Sequence, residues 1–317
     1  MKMEKTVWGS FNGQDVILAT LRSGKYRFSV MTKGATIVYW GTEDWNAVLT
    51  HPVFDDYLKA GNGHRGEVVG PYANRIANAT FTLDGTVYNL DKNFNVNHSL
   101  HSGSANWGDK IWEIKSADDE SITLTLSTPD GDGGFPGAHE AEITYTISAV
   151  GTLKLKYTVH SDKKCPVAVT NHAYFILDDR DTRFLTLTVP AERFIDVDEN
   201  LIPLRTTPTD VASTDYDFRT PHVVGARRGG RYDNSWCLDE DAVVVAEGNR
   251  AKLTCRTTEK GIQVYTGANL PKPFRGIALE TGQWPDTPNR PDFPQAFTDK
   301  DSEYVSETVY TLVVKGE

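Results

Sequence analysis

The chain contains 317 residues, 39% of them hydrophobic, and its 43 acidic and 33 basic side chains give a formal net charge of −10. That length allows a large core without disulfide bonds, and the three cysteines are too few and too scattered for a disulfide framework or a structural zinc site. An acidic chain with dispersed lysines has no electrostatic surface for nucleic acid or anionic lipid. The composition therefore argues against both of those classes of partner.

The sequence also carries information on location. It has no run of eighteen apolar residues and no apolar stretch after its N-terminal lysines, so it predicts neither a membrane span nor a signal peptide. Three cysteines without obvious partners indicate a reducing compartment. We therefore expect a cytoplasmic protein, and both a monomer and a homodimer stay open.

An alternation of apolar and polar residues dominates the chain and is typical of strands with one buried face. It predicts strands, in chain order, at Val16–Leu21, Tyr26–Val30, Val87–Leu90, Ile122–Ser127, Ala141–Ile147, Leu153–Val159, Thr186–Val189, Ala242–Val245, Ala251–Thr257, Ile262–Thr266 and Val309–Val314. The pairs Asp84-Gly85 and Val150-Gly151 predict hairpin turns. Asp55–Ala60 predicts one helical turn.

The pattern of these elements predicts an all-β fold. A helical period is not sustained for three turns anywhere, and no internal repeat suggests a propeller. We expect one large antiparallel β-sandwich, with residues 1–317 forming a single domain.

Long polar segments rich in glycine and proline interrupt the strands, and loops of this length in a compact domain usually carry function. They are Ala60–Asn74, Asn93–Asp109, Pro129–His139, Leu201–Asp233 and Glu280–Phe293. We expect the functional site to be built from these loops and the adjoining strand ends.

The first candidate residues lie in the first two of these loops or just after them. Arg75 stands among apolar neighbours, where a cation needs either a buried ion pair or a polar cleft. His98 and His101 are three residues apart, but no third ligand accompanies them at a useful spacing, so we expect no metal. One of them as a neutral hydrogen-bonding imidazole in a cleft is the better interpretation.

Three further candidates lie in the second half of the chain. His172 sits in an apolar, β-rich run, where a lone histidine is more often a core residue than a catalyst. Asp233 lies among aromatic residues, a setting that suits a carbohydrate site and equally an ordinary turn. Glu280 ends an apolar strand, and desolvation by Leu279 and Trp284 would raise its pKa toward that of a general base.

Together these side chains suit proton transfer on a neutral polyhydroxylated ligand. The sequence has no nucleophile elbow, no phosphate-binding loop and no dinucleotide fingerprint, so hydrolase, kinase and dehydrogenase functions lack support. We expect neither a metal nor a cofactor.

Several motifs, in order over some 220 residues, resemble the aldose 1-epimerases, also called galactose mutarotases. The motifs are Gly-x-x-Ala-Asn-Arg-Ile-Ala-Asn-Ala-x-Phe-x-Leu-Asp-Gly from Gly70 to Gly85, Leu100-His-Ser-Gly, Asp130-Gly-Asp-Gly-Gly-Phe-Pro-Gly, Thr170-Asn-His-Ala-Tyr-Phe, Tyr232-Asp and Leu279-Glu-Thr-Gly-Gln-Trp-Pro-Asp-x-Pro-Asn. The resemblance implies a β-supersandwich with a sugar-binding cleft.

The resemblance also implies roles for particular residues. It makes Glu280 the general base and His172 the general acid of anomer interconversion without a cofactor. It makes Arg75, His101 and Asp233 substrate-binding residues, and Asn74 in the same motif is added to that set.

Some positions depart from the family pattern, among them Pro71, Ser102, Ile176 and Asn234, so the natural sugar stays open. One alternative is a mutarotase for a phosphorylated or sulfonated hexose or a pentose, with the anion at Arg75 and Arg219 or at the cluster Arg227–Arg231. Others are a non-catalytic carbohydrate-binding protein and an accessory domain of a larger enzyme.

Overall fold

Alternating side chains give the strands of this chain one buried and one exposed face, and β-strands are its main regular structure. The computed structural model describes residues 3–59, 61 and 63–316. Ala60 and Asn62, in the first predicted long loop, lie outside the described residues, as do both ends of the predicted 1–317 domain.

The structure forms 28 strands within the described ranges. They are β1 (Glu4–Phe11), β2 (Gln14–Ser23), β3 (Tyr26–Met31), β4 (Thr36–Thr42), β5 (Trp45–Asn46), β6 (Val68–Val69), β7 (Arg75–Ile76), β8 (Thr80–Leu83), β9 (Thr86–Asn89), β10 (Ser99–Leu100), β11 (Glu113–Ala117), β12 (Ser121–Thr128), β13 (His139–Ile147), β14 (Thr152–Ser161), β15 (Cys165–Pro166), β16 (Thr170–Asn171), β17 (Tyr174–Phe175), β18 (Thr186–Thr188), β19 (Arg193–Ile195), β20 (Thr209–Asp210), β21 (His222–Val223), β22 (Asp233–Cys237), β23 (Val244–Glu247), β24 (Ala251–Thr257), β25 (Gly261–Tyr265), β26 (Ile277–Gly282), β27 (Phe297–Thr298) and β28 (Tyr304–Val314).

The helical elements of the same residues are short 3₁₀ turns of three to five residues. They lie at Phe54–Leu58, Ala77–Ala79, Gly103–Ala105, Trp107–Asp109, Asp132–Gly134, Thr182–Phe184, Val224–Ala226, Arg228–Gly230 and Thr287–Asn289. None of these described elements is long and apolar enough to cross a membrane. The predicted all-β fold is confirmed, and each of the eleven predicted strands overlaps an observed one. The ends differ by up to two residues, except that β28 begins five residues before the predicted Val309.

Three antiparallel sheets make up most of the molecule. One has nine strands in the order β11-β12-β13-β14-β28-β24-β23-β18-β21, one has the five strands β1 to β5 in sequence, and one has six in the order β17-β26-β25-β22-β19-β20. The hairpin at Asp84-Gly85 joins β8 to β9, and the one at Val150-Gly151 joins β13 to β14, as predicted.

The five- and six-stranded sheets both pack on the inner face of the nine-stranded sheet. Tyr145 of β13 donates its hydroxyl to the Ala35 carbonyl at 2.6 Å, and Tyr310 of β28 donates to the Leu279 carbonyl at 2.7 Å. A β-bridge between Val48 and Phe175 joins the two smaller sheets edge to edge. The result is a wide antiparallel sandwich with one main apolar cluster between its layers.

Strand alternation decides which residues of the six-stranded sheet face away from that core. In β26 Ile277 and Leu279 belong to the apolar cluster, and in β25 Ile262 and Val264 do. Glu280, the residue after Leu279, therefore projects from the opposite face of the sheet. That outer face is the floor of the candidate site.

Candidate active site

The six side chains singled out from the sequence line one cavity of about 200 Å³ on the outer face of the six-stranded sheet. They are Asn74, Arg75, His101, His172, Asp233 and Glu280. They come from strands β7, β22 and β26 and from the residues directly before β7 and directly after β10 and β16. The predicted loop Pro129–His139 contributes none of the described residues that line the cavity, so its predicted role at the site is wrong.

Cross-strand pairing brings the carboxylates together. Glu280 of β26 lies opposite Gln263 of β25, and Asp233 of β22 lies opposite Tyr265. Gln263 donates its side-chain N–H to Asp233 Oδ1 at 2.6 Å. The central strand β25 therefore links two carboxyl groups that are 47 positions apart in the sequence.

His172 follows β16, which pairs with β6, and its ring meets Glu280 at the cavity floor. His172 Nε2 lies 3.5 Å from Glu280 Oε1, and each side chain is only 7% exposed. The ring also packs against Tyr174, with centroids 4.9 Å apart. An imidazole and a carboxyl at this separation can act on neighbouring oxygen atoms of one ligand.

Burial controls the ionisation of this pair. It raises the pKa of Glu280 to about 8, with the Asp233 charge acting in the same direction and Arg75 opposing it. Burial also lowers the pKa of His172 to about 3, with the charge of His64 acting in the same direction. Both shifts disfavour charge, so burial favours a protonated Glu280 and a neutral His172.

Asn74 holds two of the predicted substrate-binding residues, His101 and Arg75, in place. It adopts a left-handed backbone (φ 68°), and its N–H donates to His101 Nδ1 at 3.1 Å. Its side-chain oxygen accepts from the Arg75 backbone N–H at 2.9 Å. Arg75 lies 3.7 Å from Asp233 and over the ring of Phe94, so it has both of the settings that the sequence left open, an ion pair and a polar cleft.

Of the two histidines in the second predicted loop, His98 and His101, only one lines the cavity. His98 accepts the Asn78 backbone N–H at 3.1 Å and lies outside the cavity wall, whereas His101 is part of it. Burial lowers the pKa of His101 well below its ordinary value, so this imidazole is neutral. Because its Nδ1 accepts a hydrogen bond, the proton is on Nε2 and the ring can donate.

Nitrogen and oxygen atoms of His101, His172 and Glu280 lie within 4.8 Å of one another, which raises the question of a metal. A metal ligand must offer a lone pair, but Nδ1 of His101 is occupied by Asn74 and Nε2 carries the proton. Arg75 places a cation beside the same group. These side chains fit a polar organic ligand better than a metal ion.

Leu279 and Trp284, the two side chains expected to desolvate Glu280, do not line the cavity. Leu279 points into the main core and Trp284 packs on Phe293 in a separate cluster, whereas Tyr174 and Tyr265 line the cavity with Glu280. Alternation along a strand sends Leu279 to the other face, so it cannot desolvate its neighbour.

Sequence reasoning missed five polar residues of the cavity wall: His64, Tyr174, Gln263, Tyr265 and Asn269. The strand prediction at Ile262–Thr266 places Gln263 and Tyr265 on one face, but which strand lies beside them depends on long-range pairing. A single histidine in a glycine-rich loop gives no signal for His64.

A cavity of this size, with one acid–base pair and hydrogen-bonding walls on an antiparallel β-sandwich, is typical of an enzyme that transfers protons on a small polar ligand. The sequence model of the family "Aldose 1-epimerase" matches residues 18–311. This chain belongs to the aldose 1-epimerase family and is an isomerase.

Individual relatives agree with that assignment. The chain is 33% identical to an aldose 1-epimerase of Escherichia coli K12 over 79% of this chain and 80% of that protein. It is 32% identical to a galactose mutarotase of Sus scrofa over 93% of each. The solved structure of a galactose 1-epimerase from Lactobacillus acidophilus has the same fold, with a TM-score of 0.89, 21% identity and 99% coverage of both chains.

Proposed function

We propose that this chain is a mutarotase that interconverts the α and β anomers of a free aldose, with Glu280 and His172 as the acid–base pair. The observation that carries the proposal is the 3.5 Å approach of His172 Nε2 to Glu280 Oε1 at the floor of a small polar cavity. A cavity of about 200 Å³ suits a single sugar ring.

Anomer interconversion requires one proton to leave the C1 hydroxyl and one to reach the ring oxygen. Glu280, as carboxylate, takes the C1 hydroxyl proton while the His172 imidazolium gives a proton to the ring oxygen. The C1–O5 bond breaks, the C1–O1 bond becomes a carbonyl, and an open-chain aldehyde with a free O5 hydroxyl forms. Rotation about C1–C2 then presents the other carbonyl face.

Ring closure reverses these roles. Protonated Glu280 returns its proton to the carbonyl oxygen while neutral His172 takes the proton from the O5 hydroxyl, which attacks C1. The protonated Glu280 and neutral His172 that burial favours are thus the states that ring closure needs. The pair regains its starting state after each turnover, so the reaction consumes no proton.

The remaining predicted residues are assigned to substrate binding. Arg75 and the Nε2–H of His101 donate hydrogen bonds, and Asp233 accepts them from sugar hydroxyls. Asn74 orients both donors through its hydrogen bonds to His101 and Arg75. Tyr174 and Tyr265 offer ring surfaces to the C–H groups of a sugar.

Mutarotation of freshly dissolved α-anomers, followed by polarimetry, tests the proposal. We expect the protein to speed equilibration of at least one of α-glucose, α-galactose, α-xylose and α-glucose 6-phosphate above the buffer rate. Binding without acceleration of any sugar would favour the non-catalytic carbohydrate-binding alternative and reject the mutarotase.

One observation favours the second candidate, an aldose with an anionic group. A neighbouring cavity of about 290 Å³ shares Asp233 and Tyr265 with the first and is lined by Arg228 and Arg231. Neither arginine has a carboxylate within 4.0 Å among the described residues. A larger acceleration for the charged hexose than for glucose, lost in Arg228→Gln, would support this candidate.

The other arginines considered for binding an anionic sugar are less suitable, because their guanidinium groups already have partners. Arg75 is paired with Asp233, and Arg219 makes ion pairs with Asp217 and Glu192. Arg227 donates to backbone carbonyls of residues 214 and 217. Arg228 also donates to a backbone carbonyl, that of Arg231 at 3.3 Å, but it lines the neighbouring cavity together with Arg231 and neither has a carboxylate partner among the described residues. These two are therefore the better candidates for an anion.

We further infer that residues 1–317 form one domain, supported by an apolar cluster that runs from Ala19 to Leu312. We also propose a cytoplasmic protein without nucleic-acid partners, acting as a monomer or homodimer. Support comes from three cysteines that are buried and unpaired and from the formal net charge of −10.

A further inference from the structure

The cavity contains a third imidazole that the mechanism above does not use. His64 precedes β6 and lines the same wall as His101 and His172. Its ring centroid lies 4.9 Å from that of His101 and 5.9 Å from that of His172. The His64 and His172 rings are tilted by only 30°, so they are stacked.

A buried carboxylate stands behind His64. Glu67 is 3% exposed, and its Oε1 lies 2.5 Å from His64 Nδ1 and 2.9 Å from the donating Asn106 side-chain nitrogen. Lys33, itself 2% exposed, lies 3.8 Å from the other oxygen and donates to the Gly108 carbonyl at 2.7 Å. Glu67 therefore has partners for both of its oxygens.

This environment makes Glu67 anionic and His64 cationic. Burial alone would raise the pKa of Glu67, but the hydrogen bond from His64 and the charges of His64 and Lys33 lower it to about 2. Burial opposes a charge on His64, yet the hydrogen bond to Glu67 and its charge raise the pKa of His64. The His64 ring can thus hold a positive charge at the cavity wall, with the balancing Glu67 carboxylate behind it.

The main chain fixes this charge relative to His172. The His172 N–H donates to the Glu67 carbonyl at 2.9 Å, and the Gly66 N–H donates to the His172 carbonyl at 3.0 Å. The Asn171 side chain adds a third bond, to the Gly66 carbonyl at 2.7 Å. His64 and His172 thus lie on two hydrogen-bonded segments, and their separation does not depend on side-chain contacts alone.

We propose that His64, charged through Glu67, is a positioning residue that stacks on His172 and makes the His172 imidazolium a stronger acid toward the sugar ring oxygen. The inference rests on the proposed mutarotase function. A ring oxygen is a weak base, so a stronger acid transfers its proton more readily. A cation about 6 Å away, at effective dielectric constants from about 80 to about 20, lowers the pKa of a base by about 0.5 to 2 units.

Other charges and titratable groups also act on this histidine cluster and stay the same in a His64 variant. On the cavity side these are His101, Arg75, Asp233, Glu280, Tyr174 and Tyr265, and behind His64 they are Glu67, Lys33, Asp109 and Arg65. A change in His172 titration after removal of His64 alone therefore reports the His64 charge.

The test compares wild type, His64→Gln, Glu67→Gln and the double variant by NMR titration of the His172 ring nitrogens and by the pH dependence of kcat/KM. His160→Gln, the same change at a half-buried histidine outside the cavity, is the matched control. We expect the His172 pKa and the limb of the rate profile that it sets to move up by about 0.5 to 2 units in His64→Gln. The shift should be smaller in Glu67→Gln, because that change also removes the carboxylate charge that raises the His172 pKa. The double variant should match Glu67→Gln, because both proteins lack the Glu67 carboxylate and the His64 charge that it supports.

Two outcomes would overturn the inference. One is a His64→Gln protein whose His172 titrates as in wild type, with activity reduced by the same factor at every pH, which is a structural effect only. The other is a downward shift. If Glu67→Gln does not fold, because it leaves Lys33 without its buried partner, His64→Gln decides alone. The NMR titration needs no turnover, so it remains decisive even if the wild type fails to catalyse mutarotation.

Discussion

Replacing Glu280 by glutamine keeps the size of a buried side chain and removes its capacity to accept a proton. General-base catalysis is worth roughly 10²–10⁴-fold, so kcat for mutarotation should fall by that factor. KM should change little, because Arg75, His101 and Asp233 still line the cavity. The neighbouring Gln263 also stays in place, since it pairs with residue 280 through the backbone of β25 and β26.

The same substitution has a second, independent effect on stability. Burial and the Asp233 charge raise the pKa of Glu280 from 4.5 to about 8. For a raised folded-state pKa, the stabilising contribution is complete below pH 4.5 and is lost as the pH rises to about 8, since the unfolded chain ionises first. Each pH unit of that window corresponds to about 1.4 kcal/mol, so the wild type loses up to a few kcal/mol that Glu280→Gln does not lose.

Polarimetry of a fresh α-anomer measures the loss of kcat. Urea unfolding at pH 5 and pH 8 measures the change in the free energy of unfolding. We expect a nearly inactive variant that binds sugar and gains stability relative to wild type as the pH rises. Glu247→Gln, a half-exposed glutamate of β23, is the control for the substitution itself. Wild-type kcat in Glu280→Gln would refute the assignment of the base, and a stability difference independent of pH would refute the raised pKa.

Three further substitutions test the surrounding site. His172→Gln should lower kcat by roughly 10²–10⁴-fold through loss of the acid, and combining it with Glu280→Gln should add little, because the two act as a unit. Arg75→Gln should lower kcat/KM by about 10- to 100-fold, the value of a charged hydrogen bond, and move the pH profile upward because Arg75 lowers the pKa of Glu280. Asp286→Ala should lower the free energy of unfolding by about 3–5 kcal/mol in urea titration, because its buried carboxylate binds Arg290 at 2.9 Å.

A specific result would contradict each of these three predictions. Full additivity of the two catalytic variants would mean that His172 and Glu280 act on separate steps. An Arg75→Gln protein with wild-type kcat/KM would remove that residue from the sugar site. For Asp286, the control is Asp292→Ala at an exposed position, and equal stability losses in both would contradict the argument from burial.

The strands were predictable because alternation is a local property. Ile122–Ser127 and Ala141–Ile147 each show their buried face in the residue order itself, and both lie within observed strands. The order of the sheets was not predictable, since β28 pairs with both β14 and β24, more than fifty residues away. Nothing in the local pattern specifies such a pairing.

The candidate site was likewise predictable where local sequence is informative and unpredictable where long-range contacts decide. The six predicted side chains were found from residue type and from family motifs, and the cavity contains all of them. From the residues alone, His172 resembled an ordinary core histidine. His64 escaped notice because its relevance depends on Glu67 behind it and on the backbone bonds between residues 66–67 and 172. Those contacts exist only once β6 and β16 pair.

Exchange NMR on an equilibrated sugar tests the central claim most directly, because it observes anomer interconversion itself. With wild-type protein at neutral pH we predict exchange cross-peaks between the α and β anomeric protons of at least one aldose. The cross-peaks should vanish with Glu280→Gln and with His172→Gln. Exchange that persists at wild-type intensity in both variants, or that is absent with wild type for every aldose, would contradict the account.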